Sequence, residues 1–223
     1  MKWKTNTTKR LSKLQEHRDN HSEFDRGGGI GFTTNDPHEL FNRWYEEVSE
    51  MNEDEPNAFS LTTIDSNGRP TSRIVYLKDI IDGKFVFYSN YNSDKGKAIE
   101  SNPNVHVLFF WRSASRQVSI HGTCNHTSRE VSEAYFNSRP RGSKIGAWAS
   151  NQSDVLENRM DLEASVKKFE EQFPDEVPCP PHWGGFEIEI DRFEFCQGMP
   201  SRLHDRLIFK KEGDSWKQHR KQP

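Results

Sequence analysis

Cysteine is scarce: Cys124, Cys179 and Cys196 are three in 223 residues, with no C-x-x-C pair among them. An odd, unpaired set excludes a disulfide framework and points to a reduced, cytoplasmic compartment. Long apolar runs are missing as well. The longest, such as 105–111, fall far short of the ~20 residues that span a bilayer, so no membrane segment is expected. A basic surplus is absent too, with a net charge of −3, which excludes a dominant nucleic-acid footprint and leaves room only for local anion sites. His121, His126, His182 and His204 have no paired carboxylate or cysteine at zinc-ligand spacing, and G-x-S-x-G does not occur. A zinc centre and a triad hydrolase are thereby set aside. Gly27, Gly28 and Gly29 lack the G-K-[ST] ending of a phosphate loop and follow no strand, so they read as a flexible joint.

What is present is aromatic. Hydrophobic residues are only 32%, yet 15 Phe and 6 Trp supply enough burial area for one large core. Residues 1–34 form a polar segment, basic at its start with Lys2, Lys4, Lys9, Arg10 and Lys13, and are expected to be a flexible tail. The folded domain is expected over 35–223. Asp36 can cap a helix with Pro37 at its first position and Glu39 three residues on, while Leu40, Phe41, Trp44, Tyr45 and Val48 share a face. Strands follow at 58–64, 72–77, 85–89, 105–111 and 117–125, rich in β-branched and aromatic residues. Turns at Asn67-Gly68 and Asp82-Gly83 make neighbouring strands antiparallel. A short helix capped by Ser93 interrupts them and stops at Asn102-Pro103. Helices are expected from Ser128 to about Ser138 and along Val155, Leu162, Val166, Phe169 and Phe173. Beyond the prolines at 178, 180 and 181 come strands near 186–190, 192–195, 202–210 and 215–219. The sequence reads as an α+β fold, a small antiparallel β-barrel with helices packed on the outside.

Charge marks the candidate site. In a strand, Arg202, His204 and Arg206 share one face, and two unit charges about 6 Å apart repel by roughly 3 kcal/mol at a dielectric near 20. Such a wall invites an anion, although an isolated R-x-H-x-R also suits a solvated edge strand. Pro140 separates two helices so that Ser143 caps the second, with Tyr135 and Arg139 facing its N-terminus in a phosphate-gripping arrangement. A plain surface corner would use the same residues. Arg73 and Lys78 lie five apart, on opposite faces of a regular strand, so they reach one site only through a bulge, or else serve two. Lys95 opposes a helix dipole that a bound anion would satisfy. The amides of Gln117 and Gln152 suit the mixed donor and acceptor edge of a heteroaromatic ring.

Together these stretches resemble the pyridoxine/pyridoxamine 5′-phosphate oxidase family. They are R-I-V-Y-L-K (73–78), F-Y-S-N (87–90), N-P (102–103), R-Q-V (116–118), Y-F-N-S-R-P-R-G-S-K-I-G-A-W (135–148), S-N-Q-S (150–153), W-G-G (183–185), E-F-C-Q-G (194–198) and R-L-H-D-R (202–206), in family order. The resemblance implies a split β-barrel homodimer with FMN at the subunit interface. It implies FMN contacts from Arg73, Ile74, Val75, Lys78, Tyr88, Ser89, Lys95, Gln117, Gln152, Ser153, Cys196 and Arg206. It further implies substrate contacts from Lys78, Tyr135, Arg139 and Ser143, with Arg202 and His204 catalytic over the substrate ring. The implied reaction converts pyridoxamine and pyridoxine 5′-phosphates to pyridoxal 5′-phosphate with O₂ reduced to hydrogen peroxide. Three positions depart from the family pattern: Asp94 where an arginine is usual, Cys196 where a tryptophan is usual, and the ending Arg220-Lys221-Gln222-Pro223 in place of R-L-A-P. These departures cluster on the cofactor side and leave an alternative, a pyridoxal-phosphate-binding protein with weakened FMN affinity and little oxidase activity.

Overall fold

The computed structural model describes residues 28–31 and 34–223, so the basic stretch at 2–13 lies outside the described residues. Helix α1 (Pro37–Glu50) starts as its sequence dictates: the Asp36 carboxylate accepts from the His38 N–H and Pro37 occupies the first turn. Glu39 does not close a capping box; its carboxylate accepts instead from the Thr34 hydroxyl. Leu40, Phe41, Trp44 and Val48 are buried against the sheet. Packing also reaches further toward the N-terminus than Asn35, because Ile30 is 6% exposed in the main core and its N–H donates to Asp205 Oδ2 at 2.8 Å.

The sheet contains β1 (Ala58–Ile64), β2 (Pro70–Tyr76), β3 (Asp79–Ile81), β4 (Lys84–Asn90), β5 (Asn104–Trp111), β6 (Arg116–His126), β7 (Trp183–Gln197), β8 (Asp205–Glu212) and β9 (Ser215–Lys221). Every pairing is antiparallel, in the order β2-β1-β5-β6-β7-β4-β3, with β8 on β7 and β9 on β8. The short strand β3 was not legible beforehand; it forms because Asp82 and Gly83 both hold positive φ, the twist a two-residue hairpin needs.

Strand β7 corrects the expectation of two separate strands. It is one continuous run of 15 residues whose first half pairs β4 and whose second half pairs β8, while β6 follows both halves. Asp191 is the extra residue where the register shifts between His121 and Gly122. This bulge bends the strand and lets its two ends belong to different walls. The result is a curled antiparallel half-barrel with, among the described residues, five α-helices outside, a split-barrel α+β fold. Among the described residues no helix is long and apolar enough to cross a membrane.

The remaining helices are α2 (Asp94–Ser101), α3 (Arg129–Ser138), α4 (Arg141–Ala149) and α5 (Arg159–Gln172). Two cores result. The larger lies between sheet and α1 around Phe41, Phe85, Phe109, Trp111 and Phe193, and the smaller joins Phe136, Ile145, Val177 and Trp183 under α3, α4 and α5. Val155 lies outside α5 and is 93% exposed, unlike Val166, Phe169 and Phe173, which pack on the smaller core.

Candidate functional site

A cleft of about 980 Å³ opens where β2, β4 and the starts of α2 and α4 meet. Its location follows from a change of pairing partner. The Leu77 N–H still donates to Asn57 O beside β1, whereas the Lys78 N–H donates to Val86 O on β4. The chain thus turns a corner between Leu77 and Lys78. Strand alternation lapses there, so Arg73 and Lys78 line one cleft despite their odd spacing.

One pole of the cleft is Lys95. Ser93 caps α2 by accepting from the Gly96 N–H, and this places Lys95 in the first helical turn, 8% exposed. Its ammonium donates to Ser89 Oγ, Ser93 Oγ and Gln152 Oε1, each at 3.1 Å, all neutral. Burial, assisted by the nearby Arg73 charge and opposed by Asp94, pulls its pKa down to about 8. Arg73 Nη1 donates to Leu61 O and Thr63 Oγ1, and burial likewise lowers its pKa. Two cations supported mainly by neutral groups, at a helix N-terminus, form an anion site. Ser153 adds a strained wall residue with φ of 80°.

The other pole is Arg139, at the C-terminal cap of α3. Its guanidinium lies 4.5 Å from the centre of the Trp183 ring and 5.5 Å from that of Phe136. Nη1 is buried without a hydrogen-bond partner, and burial lowers the group's pKa. Between the poles runs an aromatic wall: Tyr88 and Tyr135 stack at 3.8 Å and Trp183 lies parallel to both. Burial pushes the Tyr88 phenol up to about 12, so it stays protonated as a donor. The cleft therefore combines a stacked aromatic wall with the cationic side chains of Arg73, Lys95 and Arg139.

A second cavity of about 190 Å³ is lined by Gln117, Ser119, Glu194, Cys196, His204, Arg206 and Pro223. Gln117, Cys196 and Arg206 stand side by side on β6, β7 and β8, in one cross-strand row. Glu194 is 8% exposed and anchors this floor. Its Oε1 accepts from Arg206 Nε at 2.8 Å and from Arg206 Nη2, and its Oε2 accepts from Arg192 Nη2 at 2.5 Å. Burial alone would raise the Glu194 pKa, but the hydrogen bonds from Arg206 and Arg192 hold it below the usual value.

The sequence-derived residues thus divide. Arg73, Ile74, Val75, Lys78, Tyr88, Ser89, Lys95, Gln152 and Ser153 share the large cleft with Tyr135, Arg139 and Ser143. Gln117, Cys196, His204 and Arg206 line the second cavity, and Arg202 lines neither. Two local expectations are corrected. Arg202, His204 and Arg206 do not share a strand face, because β8 begins only at Asp205; Arg202 closes a 3₁₀ turn, Pro200–Arg202, with positive φ at both Ser201 and Arg202. The Met199 N–H donating to His204 Nδ1 closes that turn, and Glu194 neutralises Arg206, so no cationic wall stands there. Nor does Ser143 cap α4. Pro140 holds the cap position and Ser143 sits in the first turn, still facing the cleft. Sequence reasoning missed Trp183 and Asn90 as cleft residues. A tryptophan two residues after the Pro180-Pro181 pair and directly before two glycines was the available signal.

Residues 46–173 match the family model described as Pyridoxamine 5′-phosphate oxidase, and residues 183–223 match the Pyridoxine 5′-phosphate oxidase C-terminal dimerisation region. The chain is 47% identical over 189 residues to the pyridoxine/pyridoxamine 5′-phosphate oxidase of Rubrobacter xylanophilus, covering 84% of this chain and 87% of the relative. It is 45% identical over 205 residues to the protein of the same name from Paraburkholderia phymatum, covering 91% and 95%. Among solved structures it is similar to PhzG from Burkholderia lata in complex with tetrahydrophenazine-1-carboxylic acid, with a TM-score of 0.82, 27% identity, and coverage of 88% of this chain and 100% of that one. A pyridoxamine 5′-phosphate oxidase-related, FMN binding protein from Nostoc punctiforme shares the fold at a TM-score of 0.69 and 13% identity, over 86% of this chain and all of that one.

Proposed function

The chain belongs to the pyridoxamine 5′-phosphate oxidase family, and from that membership we propose that it is an FMN-dependent oxidase of vitamin B6 metabolism. Its substrates are pyridoxamine and pyridoxine 5′-phosphates and its product is pyridoxal 5′-phosphate; O₂ is reduced to hydrogen peroxide, and with the amine substrate water releases the nitrogen as ammonia. The observation that carries this reading is the pair of cations lining one aromatic-walled cleft, buried Lys95 and half-buried Arg139 with its Nη1 buried and unpartnered. Two phosphorylated ring compounds lying face to face would satisfy both.

The residues fit FMN on chemical grounds. Lys95, with its lowered pKa and neutral partners, is a cation whose ordinary basicity a phosphate dianion would restore. Arg73, Ser89, Gln152 and Ser153 surround the same pole and would hold the FMN phosphate, with Ile74, Val75, Lys78 and Tyr88 along the ring. The chemistry that FMN supplies when bound is acceptance of a hydride from the substrate C4′ carbon and reoxidation by O₂. Arg139, Tyr135, Ser143 and Lys78 bind the substrate phosphate and fix the register of its ring. Tyr88 and Tyr135 exclude water from the ring face.

The active form is a homodimer in this reading. Ile74 and Phe110, 62% and 55% exposed on the sheet, leave apolar surface that a second copy would cover. Gln117, Cys196 and Arg206 of the second copy then complete the flavin site, and its Arg202 and His204 close over the substrate ring. Arg202 orients the ring and His204 handles the proton. The free thiols of Cys124, Cys179 and Cys196 suit a reducing cytoplasm.

Asp94 favours a second reading. Its charge acts on both Arg73 and Lys95, and an acid beside a phosphate site weakens anion binding, as in a pyridoxal-phosphate-binding protein with little flavin. Incubation with FMN and pyridoxamine 5′-phosphate in oxygenated buffer separates the two. Equal yields of peroxide and pyridoxal phosphate support the oxidase; a chain that stays colourless in excess FMN while retaining pyridoxal phosphate is the binding protein. Turnover of unphosphorylated pyridoxamine at an undiminished rate would contradict the phosphate-anchored reading as well.

A further inference from the structure

We propose that Trp183 is a positioning residue for Arg139, its indole face standing where a carboxylate ordinarily holds a buried arginine, so that the guanidinium charge remains free for a phosphate. The inference rests on the substrate reading above and deepens it.

Two arginines in this molecule are held in opposite ways. Arg206 donates from Nε and Nη2 to Glu194 and from Nη1 to Gln222 O, so its charge is cancelled in place. Arg139 forms no ion pair among the described residues, and its Nη1 is buried without a partner. What it touches are ring faces, Trp183 at 4.5 Å and Phe136 at 5.5 Å. A ring face attracts a cation through its quadrupole yet occupies none of the five N–H donors. A carboxylate would occupy two donors and neutralise the charge. Aromatic support therefore fixes the guanidinium without spending the groups that an incoming dianion needs.

Trp183 is itself immobile enough to act as the template. It is 6% exposed, its carbonyl accepts from Arg129 Nη1 at 3.1 Å, and Phe136 meets it edge-on at 5.1 Å. The next residue, Gly184, lies so close to Tyr91 and Ser132 that a Cβ there would stand 1.9 Å from the Tyr91 hydroxyl. Chain position at 183–184 is thus locked against α3, the helix that presents Tyr135 and Arg139. A displaced indole would move the Arg139 fork and leave the lock intact.

The test uses full-length protein loaded with FMN, and compares Trp183→Leu and Trp183→Phe for binding of pyridoxal 5′-phosphate and of pyridoxal. Trp183→Leu is expected to weaken pyridoxal 5′-phosphate binding about tenfold and to leave pyridoxal binding within about twofold, while Trp183→Phe, which keeps a ring face, stays within about threefold of wild type. In steady state the leucine variant raises KM for the phosphorylated substrate with kcat little changed. In an Arg139→Met background, Trp183→Leu should add no further loss, since the tryptophan acts through the arginine. A leucine variant that binds pyridoxal phosphate like wild type overturns the proposal. So does equal loss for pyridoxal and its phosphate in the leucine variant, or an undiminished further loss in the Arg139→Met background. Should Trp183→Leu fail to fold, Trp183→Met, which likewise removes the ring face, decides by the same ratio. If the wild-type chain binds no pyridoxal phosphate, the substrate reading and this inference fall together; if wild type binds it and the variants do not discriminate, only this inference falls.

Discussion

Lys95 gives the cleft a pH dependence that can be worked through. In the free protein its pKa is about 8, lowered by burial and by Arg73. A phosphate beside it would raise that value, so the bound form holds its proton more tightly than the free form. By linkage, FMN affinity is level below the free pKa and falls about tenfold per pH unit above it, until the bound form also titrates. Between about pH 7 and about pH 9.5 the ammonium fraction drops from about nine-tenths to about 3%, a weakening of roughly 30-fold or about 2 kcal/mol. Below about pH 6 a second decline begins as the phosphate takes up its own proton. Quenching of FMN fluorescence, titrated at fixed ionic strength, reads this directly. Lys95→Met retains the apolar stem and removes the charge, so it should weaken binding about 10- to 100-fold at neutral pH and abolish the alkaline slope. The unliganded protein carries the opposite sign. Because the folded state binds fewer protons than the unfolded state between about pH 8 and the ordinary lysine value of 10.5, Lys95 adds stability as pH rises through that window, and wild type should gain on Lys95→Met there. A dissociation constant that stays flat from neutral to alkaline pH, or a slope that survives in Lys95→Met, refutes the reasoning.

Asp94→Asn removes an exposed acid that acts on both Arg73 and Lys95, and should tighten FMN binding about tenfold after allowance for solvent screening; unchanged affinity by the same titration would show that the carboxylate turns away from the phosphate. Glu194→Gln leaves Arg192 and Arg206 without their shared counter-ion, and should lower stability by about 3 kcal/mol at neutral pH in denaturant unfolding. Since the folded Glu194 pKa is depressed, that contribution is present above the ordinary glutamate value of 4.5 and disappears as pH falls through the lower folded value, so the two proteins should converge in acid. Arg202→Ala should cut turnover by at least tenfold while changing FMN affinity less than twofold; normal turnover removes Arg202 from the reaction.

Much of the architecture follows from local chemistry. Asp36 and Pro37 fix where α1 begins, and Asp65 forms the first hairpin by accepting from the N–H groups of Asn67 and Arg69. Elements that depend on distant pairing were not legible. Strand β7 passes through Asp191 unbroken only because β6 runs alongside both halves, and no residue near 191 announces this. The corner after Leu77 is likewise a change of partner and not a property of its own residues, yet it brings Arg73 and Lys78 into one cleft. At 202–206 the alternating charges suggested a strand, but Pro200 and two left-handed residues displaced its start. The cleft residues from 73 to 153 were legible through the family resemblance, since each cation taken singly also suits a solvated surface. That Gln117, Cys196 and Arg206 would line a different cavity in the same chain could be learned only from the assembled sheet.

That division makes the shared site the point to test. Arg139→Ala damages the large cleft, and Arg202→Ala damages the segment that a second copy contributes in the proposed homodimer. In a mixed dimer of the two, one site carries both lesions and the other none. Co-expressing the two variants and measuring peroxide release should therefore recover about a quarter of wild-type activity, since about half the dimers are mixed and each has one intact site of two. Activity that stays at the level of the two inactive parents would contradict a site built between two copies of this chain.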